Sequence, residues 1–222
     1  QGLDAIGNVV FNYDEPGFFV NQDKTVQVGN AKRYLRKVYT DYKLTFNQTG
    51  DTYTLSSVKD GNGEKQTTSG SDFFPLDNVK VDYEGAYTKK EDSSISGGNK
   101  THNYYFGMRY DVTFKVGDYV GPLNYSFTGD DDLWVVLDGK QVVIDLGGIH
   151  DAADKTVNLW DYIKTDEDKQ QEHTLTILYM ERGAGESNCK MNFTLPSAHI
   201  SEVGQVPMAD LTLKKVNTKA EG

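Results

Sequence analysis

The 222-residue chain carries 33 Asp and Glu against 23 Lys and Arg, a formal net charge of −10. Nucleic-acid phosphates would be repelled by that charge, while cations, neutral ligands or basic partners would not. A hydrophobic content of 37% and a mean hydropathy of −0.60 describe a soluble protein, and no apolar run approaches the roughly 20 residues that span a bilayer.

One cysteine excludes an internal disulfide framework. No N-terminal leader pattern is present, so the sequence reads as a mature or excised fragment. The length allows one large β domain or two smaller ones. Fourteen Tyr, ten Phe and 22 Gly among short alternating runs favour β structure.

In chain order, residues 1–60 hold alternating stretches at 42–46 and 52–55, which predict strands in a loop-rich region. Residues 31–39 fit either a short helix or a strand. The polar, Gly-, Ser- and Thr-rich stretches 61–71 and 89–100 predict loops. Residues 104–116 give the clearest strand. Phe106, Met108, Tyr110, Val112, Phe114 and Val116 share one face, with Tyr105, Gly107, Arg109, Asp111, Thr113 and Lys115 on the other.

Further strands are predicted at 123–127, 133–137, 141–146, 173–180 and 188–195, with room for a helical turn or short helix within 152–162. In the last strand Cys189, Met191, Phe193 and Leu195 share the apolar phase, which predicts a buried, inert thiol. Trp134 is opposite in phase to Leu133 and Val135, and packing explains it better than ligand stacking. Many strands without alternating helices predict an all-β protein, a two-sheet antiparallel β-sandwich.

The most informative segment is Asp130-Asp131-Asp132, followed by an apolar run that ends in Asp138-Gly139. Asp-Gly between two apolar runs predicts a type I′ hairpin, because both central residues need positive φ. Three adjacent carboxylates repel one another, so the fold must either leave them solvated or supply a counter-charge. Ca²⁺ suits them, since it takes six to eight hard oxygen ligands.

The run 129–150, taken with 181–188, resembles the signature of fibro-slime domains in the protective-antigen-type β-sandwich superfamily. That signature has two acidic residues, six more positions, then Asp-Gly; here Asp130-Asp131, residues 132–137 and Asp138-Gly139 match it. Phe73-Phe74-Pro75 and His102-Asn103-Tyr104-Tyr105-Phe106 extend the likeness upstream, and Ser187-Asn188 downstream. It covers 70–196 well and 1–69 poorly.

The resemblance implies a protective-antigen-like jelly roll with long loops and little helix. It implies a Ca²⁺ held by Asp130 and Asp131 with Asn188 from a late loop. Asp132, His150 and Glu186 would surround the ion, with Trp160 and Ser187 on the rim. Residues 209–217 resemble the first strand of a collagen-adhesin B-type repeat, with Lys215 at the position of the isopeptide-forming lysine. The implied organisation is a sandwich adhesin domain at 1–196, a linker at 197–209 and a truncated repeat strand at 210–222.

Catalysis finds little footing. Asp130, Asp131, Glu181 and Glu186 could supply paired carboxylates, yet glycoside hydrolysis needs two separated acids in contrasting environments. No nucleophile elbow, phosphate loop or zinc-protease motif is present. The resemblance instead implies a non-enzymatic, calcium-dependent adhesin module of a Gram-positive-type surface or pilus protein. It would be extracellular, at the cell wall, and monomeric within a longer chain. Its partner would be a glycan or glycoprotein on a host or neighbouring cell, without nucleic acid or membrane insertion. A calcium-rigidified stalk module and a carbohydrate-binding accessory domain of a larger hydrolase are the alternatives.

Overall fold

The computed structural model describes residues 2–11, 19, 22–39, 42–59, 65–67, 73–76, 90–91, 101–102, 106–130, 132–148, 150–182, 187, 189–196, 208–213 and 215–217. Its strands begin with β1 (Gly2–Leu3), β2 (Val9–Val10), β3 (Lys24–Val28), β4 (Ala31–Arg36), β5 (Val38–Tyr39), β6 (Tyr42–Thr49) and β7 (Thr52–Lys59). Short β8 (Lys65–Thr67), β9 (Lys90–Glu91) and β10 (Thr101–His102) follow. The longer strands β11 (Phe106–Lys115), β12 (Asn124–Gly129), β13 (Asp132–Leu137), β14 (Gln141–Leu146) and β15 (Ala153–Asn158) come next. A 3₁₀ turn (Leu159–Asp161) and helix α1 (Asp166–Gln170) precede β16 (Glu172–Glu181), β17 (Cys189–Thr194), β18 (Met208–Leu213) and β19 (Lys215–Asn217).

Two antiparallel sheets carry the fold. Sheet I has the order β14-β13-β16-β11-β19-β5, and sheet II the order β15-β12-β17-β7-β6-β18 with β8 added beside β7. This is the two-sheet all-β architecture that the alternation predicts.

Residues 31–39 are strands; 152–162 hold β15, an edge strand in which only Val157 is buried, followed by the expected helical turn at Leu159–Asp161. The short helix at Asp166–Gln170 was not foreseen. Thr165 starts it with a capping box, accepting from the Asp168 N–H while the Asp168 carboxylate accepts from the Thr165 N–H. Residues 208–217, read from the sequence as linker end and repeat strand, form β18 on β6 and β19 between β11 and β5.

The space between the sheets is filled by the alternating faces of their strands. β11 contributes Phe106, Met108, Tyr110, Val112 and Phe114; β13 contributes Leu133, Val135 and Leu137; β16 contributes Leu175, Ile177 and Tyr179. Sheet II answers with Phe46, Tyr53, Tyr125, Phe127, Met191 and Phe193. Phe193 stacks on Tyr53 with centroids 5.1 Å apart and meets Phe46 at the same distance. Burial of such rings at about 25 cal/mol per Å² is the main term holding the sheets together. Cys189 lies in this core, and burial pushes its thiol pKa well above the ordinary 9.0.

Sheet I is also covered on its outer face. Trp134, Val136, Leu178 and Met180 point away from the main core and form a second cluster with Val9 and Phe19. Phe11 and Phe19 meet the Trp134 ring edge-on, at 5.7 and 6.4 Å. A polar network fixes the same covering segment. The Asp4 carboxylate accepts from the Asn8 N–H at 2.8 Å, and Arg109 donates to the Asn8 side chain and to Asp111. The N-terminal residues are therefore structural: they seal the back of sheet I.

Candidate functional site

The chain crosses from sheet II to sheet I between Gly129, the last residue of β12, and Asp132, the first of β13. Register fixes what surrounds that crossing. Gly129 pairs with Cys189 of β17 and Ala153 of β15, Asp132 with Met180 of β16, and Leu133 with Leu146 of β14. Asp130 and Asp132 therefore share one end of the sandwich with the C-terminal ends of β14 and β16.

Asp132 is buried, and its counter-charge comes from the protein. Arg182 Nη2 donates to Oδ1 at 3.0 Å, Arg182 Nε donates to Oδ2, and the Gly148 N–H also donates to Oδ1. A carboxylate so engaged has little left for a metal. The sequence signal for this pair is the need for a cation near three acids, and Arg182 is the basic residue of the 181–188 stretch.

Asp130 is half-buried. Its carboxylate, like that of Glu181, lies close enough to Cys189 to raise the thiol pKa further. Glu181 is fully buried, and Tyr179 Oη donates to its Oε2 at 3.3 Å. Ser187, expected on the rim, is buried instead: its Oγ donates to the Phe73 carbonyl at 2.9 Å, and the Phe73 N–H returns a bond to the Ser187 carbonyl at 3.1 Å. That double clip joins the Phe73-Phe74-Pro75 motif to the late loop. Ser187 is a buried tie rather than a ligand contact.

His150 stays at this end as a hydrogen-bonding residue, with Nδ1 2.8 Å from the Asp151 carbonyl and Nε2 3.2 Å from that of Leu146. Trp160 does not join it. Asn124 pairs with Asn158, so the turn holding Trp160 lies at the opposite end of β12 from Gly129. There its indole N–H donates to the Gly121 carbonyl at 2.9 Å and its ring packs on the core. A six-residue strand spans about 20 Å, too far for a shared rim.

Asp131, Glu186 and Asn188 lie outside the described residues. Among the described residues, no group of three or more His, Cys, Asp or Glu is placed to hold a metal ion. Asp130, half-buried beside the sheet-to-sheet crossing, is the described residue of the expected ligand set.

The expected turn forms at Asp138-Gly139, but strand pairing resumes at Leu137 and Gln141, so the loop holds three residues rather than two. Asp138 and Gly139 have φ of 53° and 65°, and the Lys140 N–H closes the turn on the Leu137 carbonyl at 3.1 Å.

Comparison with known proteins finds similar proteins in Dictyostelium discoideum. The chain is 32% identical over 123 residues to protein psiI of Dictyostelium discoideum, covering 55% of this chain and 15% of that protein. It is 34% identical over 147 residues to protein psiD and 36% identical over 134 residues to protein psiC, both from Dictyostelium discoideum. These matches cover 64% and 60% of this chain, but only 26% and 23% of the relatives. The chain thus spans about a quarter or less of these curated relatives. No family model matches the sequence, and no solved structure matches it.

Proposed function

We propose that this sandwich is a non-enzymatic, calcium-dependent adhesive module of an extracellular surface protein, with a glycan as its ligand. The observation that supports it best is the crossing itself. Gly129, paired with Cys189, and Asp132, paired with Met180, flank that crossing. The sequence neighbours Asp131 and Asn188 therefore each adjoin a residue at this end, and oxygen donors of this kind suit Ca²⁺. The resemblance to fibro-slime domains supports the same ligand set. Arg182 supplies the counter-charge for Asp132, so that carboxylate needs no metal to balance it.

A metal that binds only the folded state stabilises it by about 2.7 kcal/mol at a hundredfold excess over Kd. For a chain of this length that is about 5–10 °C in melting temperature. Thermal unfolding with calcium and with chelator should differ by that much, and Asp131→Ala should abolish the difference. Superimposable curves for the unmodified protein would reject a calcium site. The stalk-module alternative is supported by the Asp132–Arg182 pair, in which the protein's own charges balance at this end. It predicts calcium-dependent stability at most, and no glycan binding.

A further inference from the structure

His173, on β16 at the end of the sandwich away from Asp130, is 5% exposed. Its Nδ1 lies 2.9 Å from Asp138 Oδ2 and its Nε2 lies 2.8 Å from the Asp168 main-chain oxygen. Neither acceptor has a proton to give. A peptide carbonyl only accepts, and the Asp138 carboxylate already accepts the Thr174 N–H at 2.9 Å through Oδ1. A neutral imidazole carries one N–H and serves one of these oxygens; the imidazolium serves both.

We propose that His173 is a pH-operated clasp, which when protonated ties the Asp138–Gly139 hairpin to helix α1 and on deprotonation releases the helix. The proton is lost from Nε2, because Nδ1 faces the carboxylate. The Asp138 bond survives, and the Asp168 carbonyl loses its donor.

The helix depends on few anchors. It is five residues long with none buried, far below the length at which a helix stands alone. Besides its Thr165 cap, it is held to the sandwich by the Gly117 N–H on the Lys169 carbonyl at 2.7 Å and by His173 on the Asp168 carbonyl. The groups facing the imidazole are known from each neighbouring element. The hairpin offers Asp138, with Lys140 near that carboxylate; α1 offers Asp168; β11 offers the Phe114 ring at 5.5 Å. Lys169 pairs with Asp166 at 3.0 Å, and Glu172 of β16 pairs in register with Lys115.

The hydrogen bond to Asp138 raises the His173 pKa above its ordinary 6.5, against burial and with help from the Asp168 carbonyl. Burial pushes Asp138 up, but the bonds from His173 and Thr174 outweigh it and hold that carboxyl below its ordinary 3.8. The His173 contribution is therefore complete below pH 6.5 and is lost as pH rises through the raised value. The Asp138 contribution is present above 3.8 and is lost as pH falls through the lowered one.

The test is an NMR titration of the His173 ring together with amide hydrogen exchange of Lys169 and Gln171 at pH 6 and 9, corrected for intrinsic exchange. The ring should titrate above 6.5. Protection of the two helix amides should fall by up to about tenfold for each unit of that elevation, with β11 amides unchanged. Asp138→Asn keeps the turn, since Asn-Gly also favours type I′, and keeps an acceptor for Thr174. In that variant the ring should titrate lower and helix protection should lose its pH dependence. A ring titrating at or below 6.5 in the unmodified protein, or equal helix protection at both pH values, overturns the clasp.

Discussion

Arg182 lies alongside Asp132, its Nη2 donating to Oδ1 at 3.0 Å while its Nε donates to the other carboxylate oxygen. The aspartate side chain is 2% exposed and the arginine 31%. The pair therefore sits at the lip of the sandwich, with the negative partner inside. Breaking such a pair from the outside leaves an uncompensated buried charge, which costs far more than a surface ion pair is worth.

Arg182→Ala should destabilise the protein by about 3 kcal/mol, the low end for buried pairs because the guanidinium is partly in water. Adding Asp132→Asn should recover much of that loss, since a neutral amide tolerates burial and still accepts the Gly148 N–H. Urea unfolding of the three proteins measures both effects. Equal midpoints for the unmodified protein and Arg182→Ala would show that the carboxylate finds its compensation elsewhere.

A second prediction concerns the sealed back of sheet I. A Cβ at Gly147 would come within 2.7 Å of Trp134 Cζ2, inside any real contact distance. Gly147→Ala should therefore displace the indole and cost about 1–3 kcal/mol. Removing residues 1–11 should act on the same ring from the other side, because Val9 and Phe11 leave with them. In a Trp160→Phe background the emission of Trp134 should move to longer wavelength on that truncation. Unchanged emission would mean that other residues seal the indole.

The sequence made some of this legible and hid the rest for physical reasons. β11 alternates over its whole length, and Asp138-Gly139 can satisfy a turn with positive φ at both positions, so both were readable locally. The outward burial of Trp134 was readable only as packing of an unspecified kind. Its partners Val9, Phe11 and Phe19 lie more than a hundred residues away, in a segment with no pattern of its own.

Position along the sandwich was harder still. Trp160 reads as a rim residue because its aromatic face falls in an expected loop, but β15 runs between His150 and Trp160 and carries Trp160 to the far end. The need for a cation near Asp130–Asp132 was legible, but which aspartate Arg182 pairs with was not. Three identical acids in a row do not announce which one turns inward.

The C-terminal strands give a third prediction. β18 lengthens sheet II beside β6, and β19 lengthens sheet I beside Gly107–Arg109 of β11. If this pairing is intrinsic to the sandwich, the chain ending at 196 should unfold at lower denaturant, with faster exchange of the Phe46 and Met108 amides. An unchanged midpoint would assign 208–217 to a following module. In that case a longer chain carrying the whole repeat should be lighter by one ammonia through a Lys215–Asn isopeptide bond, with Lys215→Ala restoring the calculated mass.

The last prediction addresses adhesion. An open calcium site binds sugar hydroxyls by exchanging ordered water, and gains little apolar burial in doing so. Trp160 lies at the other end of the sandwich, so it offers no stacking platform beside Asp130. Monomer affinity should therefore be millimolar or weaker. Clustering on a surface converts later contacts into intramolecular ones and can raise avidity by about 10²–10⁴ without any new contact. Beads coated densely with the protein should bind glycan surfaces that the monomer does not measurably bind, and chelator or Asp130→Ala should remove that binding. Trp160→Ala, at the far end, should leave it intact once the variant is shown to be folded. Equal binding by clustered unmodified protein and Asp130→Ala would make the acidic end structural, and the stalk reading would then stand.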